Sequence, residues 1–203
     1  MITKLIALAA LTTASLVAPA PLAFDMKDPK GVSGLSFAID SPLEPIKGHS
    51  GAVSGTFNFD PQNPSQASGK IIVQTKEVKV SNPIMTDHMH QAGSLDVAKY
   101  PTIEFEIKKV ENVKTTADNT FEADVTGNFT LRGVTKSITV KASATYAPNS
   151  LSKRGGVPDK EGDLIIVRTK FSFNRSEYAV GPAQSPIGDK VDVELSAVGF
   201  TTK

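Results

Sequence analysis

The run FEADVTGNFTLRGVTKSITVKASATY, residues 121–146, limits the possible folds more than any other part of the chain. Phe121, Ala123, Val125, Phe129 and Leu131 share one parity, while Glu122, Asp124, Thr126, Asn128, Thr130 and Arg132 share the other. Successive side chains of a strand point to opposite faces, so this spacing predicts a strand with one apolar face. After Arg132-Gly133-Val134-Thr135 the pattern resumes, with Ile138, Val140, Ala142 and Ala144 set against Thr139, Lys141, Ser143 and Thr145. Two long strands joined this tightly are antiparallel neighbours. Gly127 falls on the apolar parity, where a missing side chain permits a sharp bend or a bulge,.

The same period recurs elsewhere. Leu35, Phe37 and Ile39 alternate in GVSGLSFAID, and Val53, Phe57 and Phe59 in GAVSGTFNFD; Ile71, Val73 and Thr75 share a face of KIIVQTKEVKV. Further on come Ile103, Phe105 and Ile107, then Ile165, Val167, Phe171 and Phe173, then Val191, Val193 and Leu195. Turn-formers such as Asp60-Pro61, Asn63-Pro64 and ADNT separate the runs,. No segment beyond residue 23 keeps helical periodicity for three turns, and HMHQAGSLDVA after Asn82-Pro83 is expected to be a short helix or irregular turn,. About eight strands, each with one apolar face, must close on themselves or pack on a second sheet. Large Phe57, Phe105, Phe129 and Phe171 alongside small Ala123, Gly127, Ala142 and Ala144 read from the pattern alone first as an ordinary solid core, with an apolar tunnel as the alternative,.

At the N-terminus, Lys4, an apolar run from Leu5 to Val17, and small residues at Ala18 and Ala20 have the layout of a secretory signal peptide,. The run is shorter than the roughly 20 residues that span a bilayer. A leader over 1–23 and one domain over 24–203 are expected, with cleavage after Ala20 or Ala23. Charge is balanced, with 22 Lys+Arg against 21 Asp+Glu, and loss of Lys4 leaves 21 against 21. Such a chain has no field to draw it to nucleic acid or an anionic membrane. With no Cys, disulfide scaffolds, thiol catalysis and Cys-based zinc sites are excluded,.

Asp87, His88 and His90 form the one conspicuous polar cluster; His49 is the remaining imidazole. A zinc site needs three or four converging ligands, and in a helix residues two apart diverge by about 200°. No metal or cofactor is therefore expected. Asp96, Glu104 and Glu106 are expected in solvent, and neither a Gly-x-Ser-x-Gly elbow nor a phosphate loop occurs,. Arg168 and Lys170 take the parity opposite Val167 and Phe171, which places them on an outer face or at a barrel mouth.

GAVSGTFNFDPQNP, DHMHQAGSLDVAKYPTIEFEI, ADVTGNFTLRGVTKSITVKA, VRTKFSFNRSEYAV and IGDKVDVELS, taken in this order, resemble the YceI-like family of exported lipid- and polyisoprenoid-binding proteins. The resemblance covers nearly all of the chain after the leader. It implies an all-β, lipocalin-like fold: an extended antiparallel barrel of about eight strands whose lumen takes a long-chain amphiphile. Two features depart from the family pattern. Thr86 stands where a basic residue commonly precedes the acid, and a polar loop over 148–163 separates two late strands, where it is expected to cap or widen an entrance.

The expected function is sequestration or carriage of a polyisoprenoid, isoprenoid quinone or fatty-acid derivative, without catalysis, in the periplasm or outside the cell. Phe37, Phe57, Phe59, Phe105, Phe129, Leu131, Val140, Phe171, Phe173 and Val193 are the expected lumen residues, with Asp87, His88 and Arg168 as head-group candidates. A ligand-free envelope interaction or stress protein, and a hydrolase or isomerase using Asp87 and His88, are the alternatives. A single chain and a homodimer are both compatible with the sequence, and no nucleic-acid partner or stable membrane span is expected.

Overall fold

The structure is a computed structural model that describes residues 20–154, 160–182 and 186–202. The expected leader lies outside these residues as far as position 19. Eleven strands and one α-helix follow in the order β1 (Leu22–Asp25), β2 (Gly34–Ile39), β3 (Ile46–Ser50), β4 (Val53–Phe59), β5 (Ser68–Gln74), β6 (Lys79–Val80), α1 (Pro83–His90), β7 (Thr102–Ala117), β8 (Thr120–Leu131), β9 (Val134–Ala147), β10 (Gly162–Asn174) and β11 (Lys190–Thr202).

Eight of these strands close a ring in the order β1-β4-β5-β7-β8-β9-β10-β11, and β1 returns to β11. The closing pair is Asp25 opposite Phe200, and β1 continues along β4 from Leu22 opposite Phe59 to Asp25 opposite Thr56. The other half of β11 pairs with β2, and the sheet runs on through β3 to β6. β1 and β4 thus complete the wall at one end of β11, and β2, β3 and β6 extend it at the other. The expected all-β barrel is observed, with three more strands than the alternation predicts. β3, IKGHS, buries Ile46, Gly48 and Ser50, but glycine and serine do not register as an apolar face. β1 begins at Leu22, so cleavage after Ala20 retains the whole strand and cleavage after Ala23 removes half of it.

Two expectations are corrected. The run KIIVQTKEVKV is not one strand: it breaks at a 3-10 turn, Thr75–Glu77, that carries the chain from β5 to β6. Gly127 itself is not bulged, because its pairing with Ile138 lies within an unbroken register. The irregularity is across from it on β7, where the register shifts between Ile107 and Lys109, and again between Glu111 and Lys114 and between Thr115 and Ala117. Each shift flips parity, which explains why KKVENVKTTA shows no alternation although it is strand. Gly127 instead makes room for an aromatic ring: a Cβ there would sit 2.5 Å from Phe105 Cζ.

The interior is packed solid where β1 meets the start of β10 and the end of β11. Phe24, Met26, Ile165 and Ala197 are almost wholly buried, and Gly199 fits beneath Met26, Ile165 and Phe24. The described part of the loop after β9 folds back onto the barrel instead of widening an entrance. Leu151 is buried, and Arg154 makes a two-pronged ion pair with Asp28 at 2.7 and 3.2 Å. Tyr146 donates to Asp163 at 2.8 Å, and burial together with this carboxylate pushes its hydroxyl up to about 12. Outward-facing residues are charged and paired, as in Lys70–Glu104, Lys141–Asp124 and Lys170–Glu194. Polar-out and apolar-in is the reverse of a barrel whose wall faces lipid. No helix among the described residues is long and apolar enough to cross a membrane.

Gly127→Ala is expected to lower stability by roughly 1–3 kcal/mol, because Phe105 and the Glu106 carbonyl must shift,. Gly93→Ala, with open space around it, is expected to stay within about 0.5 kcal/mol,; urea unfolding distinguishes the two. Burial pushes the Asp28 carboxyl up, but the Arg154 guanidinium and the Val32 and Lys30 N–H groups outweigh it and hold it below the usual 3.8. A carboxyl that ionises more readily folded than unfolded stabilises the fold above its unfolded value, and that contribution is lost as pH falls through the folded value. Asp28→Asn should therefore flatten the fall of the urea midpoint on the acid side of 3.8 and change little in its slope at neutral pH.

Candidate functional site

Inside the ring lies an apolar cavity of about 640 Å³. Its length follows from β8, whose inward residues Phe121, Ala123, Val125, Phe129 and Leu131 all line it. Ten residue steps at about 3.3 Å give about 33 Å of strand, or about 25 Å along the axis at the usual barrel tilt. Small side chains leave the space open. Ala123 pairs across the strands with Ala142, and Phe121 with Ala144, so alanine lines the β8–β9 wall where larger residues would meet. Phe129 anchors the opposite end, its ring 5.7 Å from Phe171, 5.2 Å from Phe173 and 5.2 Å from Tyr178.

All ten residues expected at the lumen line this cavity: Phe37, Phe57, Phe59, Phe105, Phe129, Leu131, Val140, Phe171, Phe173 and Val193. Five of them, Phe37, Phe105, Phe171, Phe173 and Val193, are only half-buried although they face inward. In a filled core they would be inaccessible. The phenylalanines therefore border empty space.

The head-group candidates separate. α1 starts at Asn82, whose side chain accepts from Ile84 and Met85 N–H, with Pro83 in the first turn,. Thr86 bonds both N–H and C=O of Val80, which fixes the helix on β6. Met85, His88 and Met89, at i, i+3 and i+4, then face the cavity mouth,. Asp87 is exposed and does not reach the cavity, and His90 turns away to bond the Val78 carbonyl at 2.8 Å. His49 lies exposed on β3, opposite Ser36 and Lys79. Arg168 is exposed on the outer face of β10, between Ser143 and Ser196, and not at a mouth. Of the three, only His88 borders the cavity. Among the described residues no three His, Asp or Glu groups converge as metal ligands. The inner-face hydroxyl of Thr169 donates to the Lys141 carbonyl at 2.8 Å, so it adds no free donor to the lumen.

This geometry agrees with comparisons to known proteins. A model of the YceI-like domain matches residues 28–199. The chain belongs to the YceI-like family. Over 151 residues, 73% of this chain and 71% of the relative, it is 39% identical to Protein YceI of Salmonella arizonae. It is also 40% identical over 88 residues to a UPF0312 protein of Pseudomonas aeruginosa, and this match spans 43% of either chain. Solved structures share the fold at low identity. Burkholderia cenocepacia BcnA superposes with a TM-score of 0.63 at 20% identity, over 82% of this chain and 95% of that one. A polyisoprenoid binding domain from Saccharophagus degradans does so at 0.62 and 11% identity, over 90% of this chain and 99% of that one.

Several cavity residues of this YceI-like protein escape the alternation pattern. Val110 and Val113 follow the bulges of β7; Met89 and Leu95 come from α1 and the turns after it; Arg175, Val180 and Ile187 come from the segment between β10 and β11. Parity locates strand residues only, so turns that fold over a barrel end leave no periodic signal. Arg132 holds this end together. It sits with Gly133 in the two-residue β8–β9 turn, both at positive φ, and its guanidinium donates to the Ala92 and Ala179 carbonyls at 2.7 Å each.

Phe129→Ala is expected to cost about 3–5 kcal/mol, since the ring is buried among three others,. Phe171→Ala removes a ring already half open to the cavity and should cost less than Phe129→Ala in the same urea titration.

Proposed function

We propose that this protein is exported to the periplasm or beyond and carries a long-chain amphiphile, a polyisoprenoid, isoprenoid quinone or fatty-acid derivative, without altering it. The observation that carries this reading is the apolar cavity of about 640 Å³, running along the inner face of β8 in a closed barrel. Each methylene moved from water into such a lumen contributes about 0.8 kcal/mol, so a chain of about fifteen carbons supplies roughly 12 kcal/mol before the losses of motional freedom. Apolar length is then the main source of affinity. The polyisoprenoid binding domain of Saccharophagus degradans, with the same fold, supports the ligand class.

Two other readings fit less well. A solid-core interaction module requires a filled lumen, and this lumen is open. A hydrolase or isomerase acting through Asp87 and His88 requires the pair to meet a substrate together, but Asp87 faces solvent while His88 borders the cavity.

Protein produced with its leader, purified and extracted with organic solvent should yield a long-chain lipid by mass spectrometry. Absence of any such lipid, together with no binding of an added isoprenoid quinone, would overturn the carrier reading. Ala142→Phe, which fills the lumen beside Ala123, should weaken binding of long chains by about ten-fold or more and spare short ones,.

A further inference from the structure

Of the charged side chains Glu44, Glu104 and Arg175 on the cavity lining, only Arg175 is buried. Arg175 opens the turn Arg175–Tyr178 at the end of β10 and borders the cavity together with Val180, Gly181 and Ile187, yet it is only 7% exposed. A guanidinium stays protonated in a protein, so burial leaves this cation charged. It is surrounded by carbonyls: Nε donates to Gly188 at 2.9 Å, Nη2 to Ile187 at 2.9 Å, and Nη1 to Val180 at 2.8 Å and to Pro182 at 3.5 Å. Carbonyl dipoles orient the group but bring no negative charge. Arg154, by contrast, meets the Asp28 carboxylate head on. Among the described residues no carboxylate lies within ion-pair reach of Arg175. Asp189 is close enough to feel its charge, but both carboxylate oxygens are held by Ser176, at 2.8 Å from its N–H and 2.7 Å from its hydroxyl.

The local backbone is shaped around the guanidinium. Gly181, at φ +74°, lets the chain approach so closely that a Cβ would stand 2.7 Å from Nη1. The Pro182 contact, at 3.5 Å, is at the limit of a hydrogen bond, so its N–H is the one most readily turned to another acceptor,. A buried cation that meets no carboxylate directly, at one end of a mostly apolar tunnel, favours an acceptor that carries charge,.

We propose that Arg175 anchors the head group of the bound lipid, and that this head group is an oxyanion, a phosphate or a carboxylate, with the apolar tail running along β8 toward Phe121. His88, on α1, borders the same cavity and offers a second polar contact. The proposal rests on the carrier reading and adds the chemical class of the ligand to it.

Matched ligands with one tail and two heads test it on the wild-type protein: geranylgeranyl phosphate against geranylgeraniol, and palmitate against its methyl ester. The anionic member of a pair should bind about ten-fold or more tightly. A preference in the first pair alone identifies phosphate, and in the second alone carboxylate. Equal affinity within both pairs overturns the proposal while leaving the carrier reading intact. Failure of all four to bind overturns both. Arg175→Gln, where it folds, should erase the preference and keep tail binding; a retained preference would remove Arg175 from the role. In the wild type, the Arg175 Nε–H nitrogen resonance should shift with the anionic ligand and not with the neutral one. An unmoved resonance counts against the anchor independently of any variant.

Discussion

The rest of the structure depends on the meeting of β1 and β11. A sheet whose strands each have one apolar face cannot stay open in water, because that face and the two edge strands would remain unsatisfied. Pairing of Asp25 with Phe200, continued along β4, removes the edge at one end, and β2, β3 and β6 extend the wall at the other. A ring of eight strands is just wide enough for side chains to fill it or for one elongated ligand to occupy it.

Which of these happens depends on side-chain size around the ring. Where β1 meets the start of β10 and the end of β11 the interior is full, with Phe24, Met26, Ile165 and Ala197 packed over Gly199, while the rest of β10 and β11 lines the cavity. Along β8 and β9 the inward positions mix Phe121, Val125, Phe129 and Val140 with the small Ala123, Ala142 and Ala144, and the alanines do not reach across. The same barrel is thus a rigid core on one side and a slot on the other. The packed side, with the Asp28–Arg154 ion pair outside it, holds the ring closed independently of a ligand. Phe129 meets Phe171 and Phe173 edge to face, while Phe57 stacks on Phe59 and Phe171 on Phe173, which fixes the rings without closing the space between walls,.

The polar chemistry lies at one end. α1, the turns after it and the segment after β10 converge there, held by Arg132 reaching to Ala92 and Ala179. That arrangement brings His88 and Arg175 to a mostly apolar lumen, whose other polar lining residues are Glu44, Ser94, Glu104, Ser143 and Thr169. Long tails are recognised by burial and discriminated at the head by few groups.

The sequence by itself determined the strand faces. Period-two alternation in residues 121–146 shows which side chains share a side of β8 and β9, and Phe57, Phe105, Phe171 and Val193 follow in their own strands, because parity is a local property of extended backbone. The bulges of β7 hide Val110 and Val113 from the same argument, since each inserted residue reverses parity. Arg175 was legible only as a polar residue after a strand, and Arg168, on the outer parity, carries the same charge into solvent. Only the tertiary structure decided that the inward faces leave a cavity, that Asp87 points away from it and that a buried arginine borders it. Volume and burial are sums over strands and turns distant in sequence, and no local period records how those sums close.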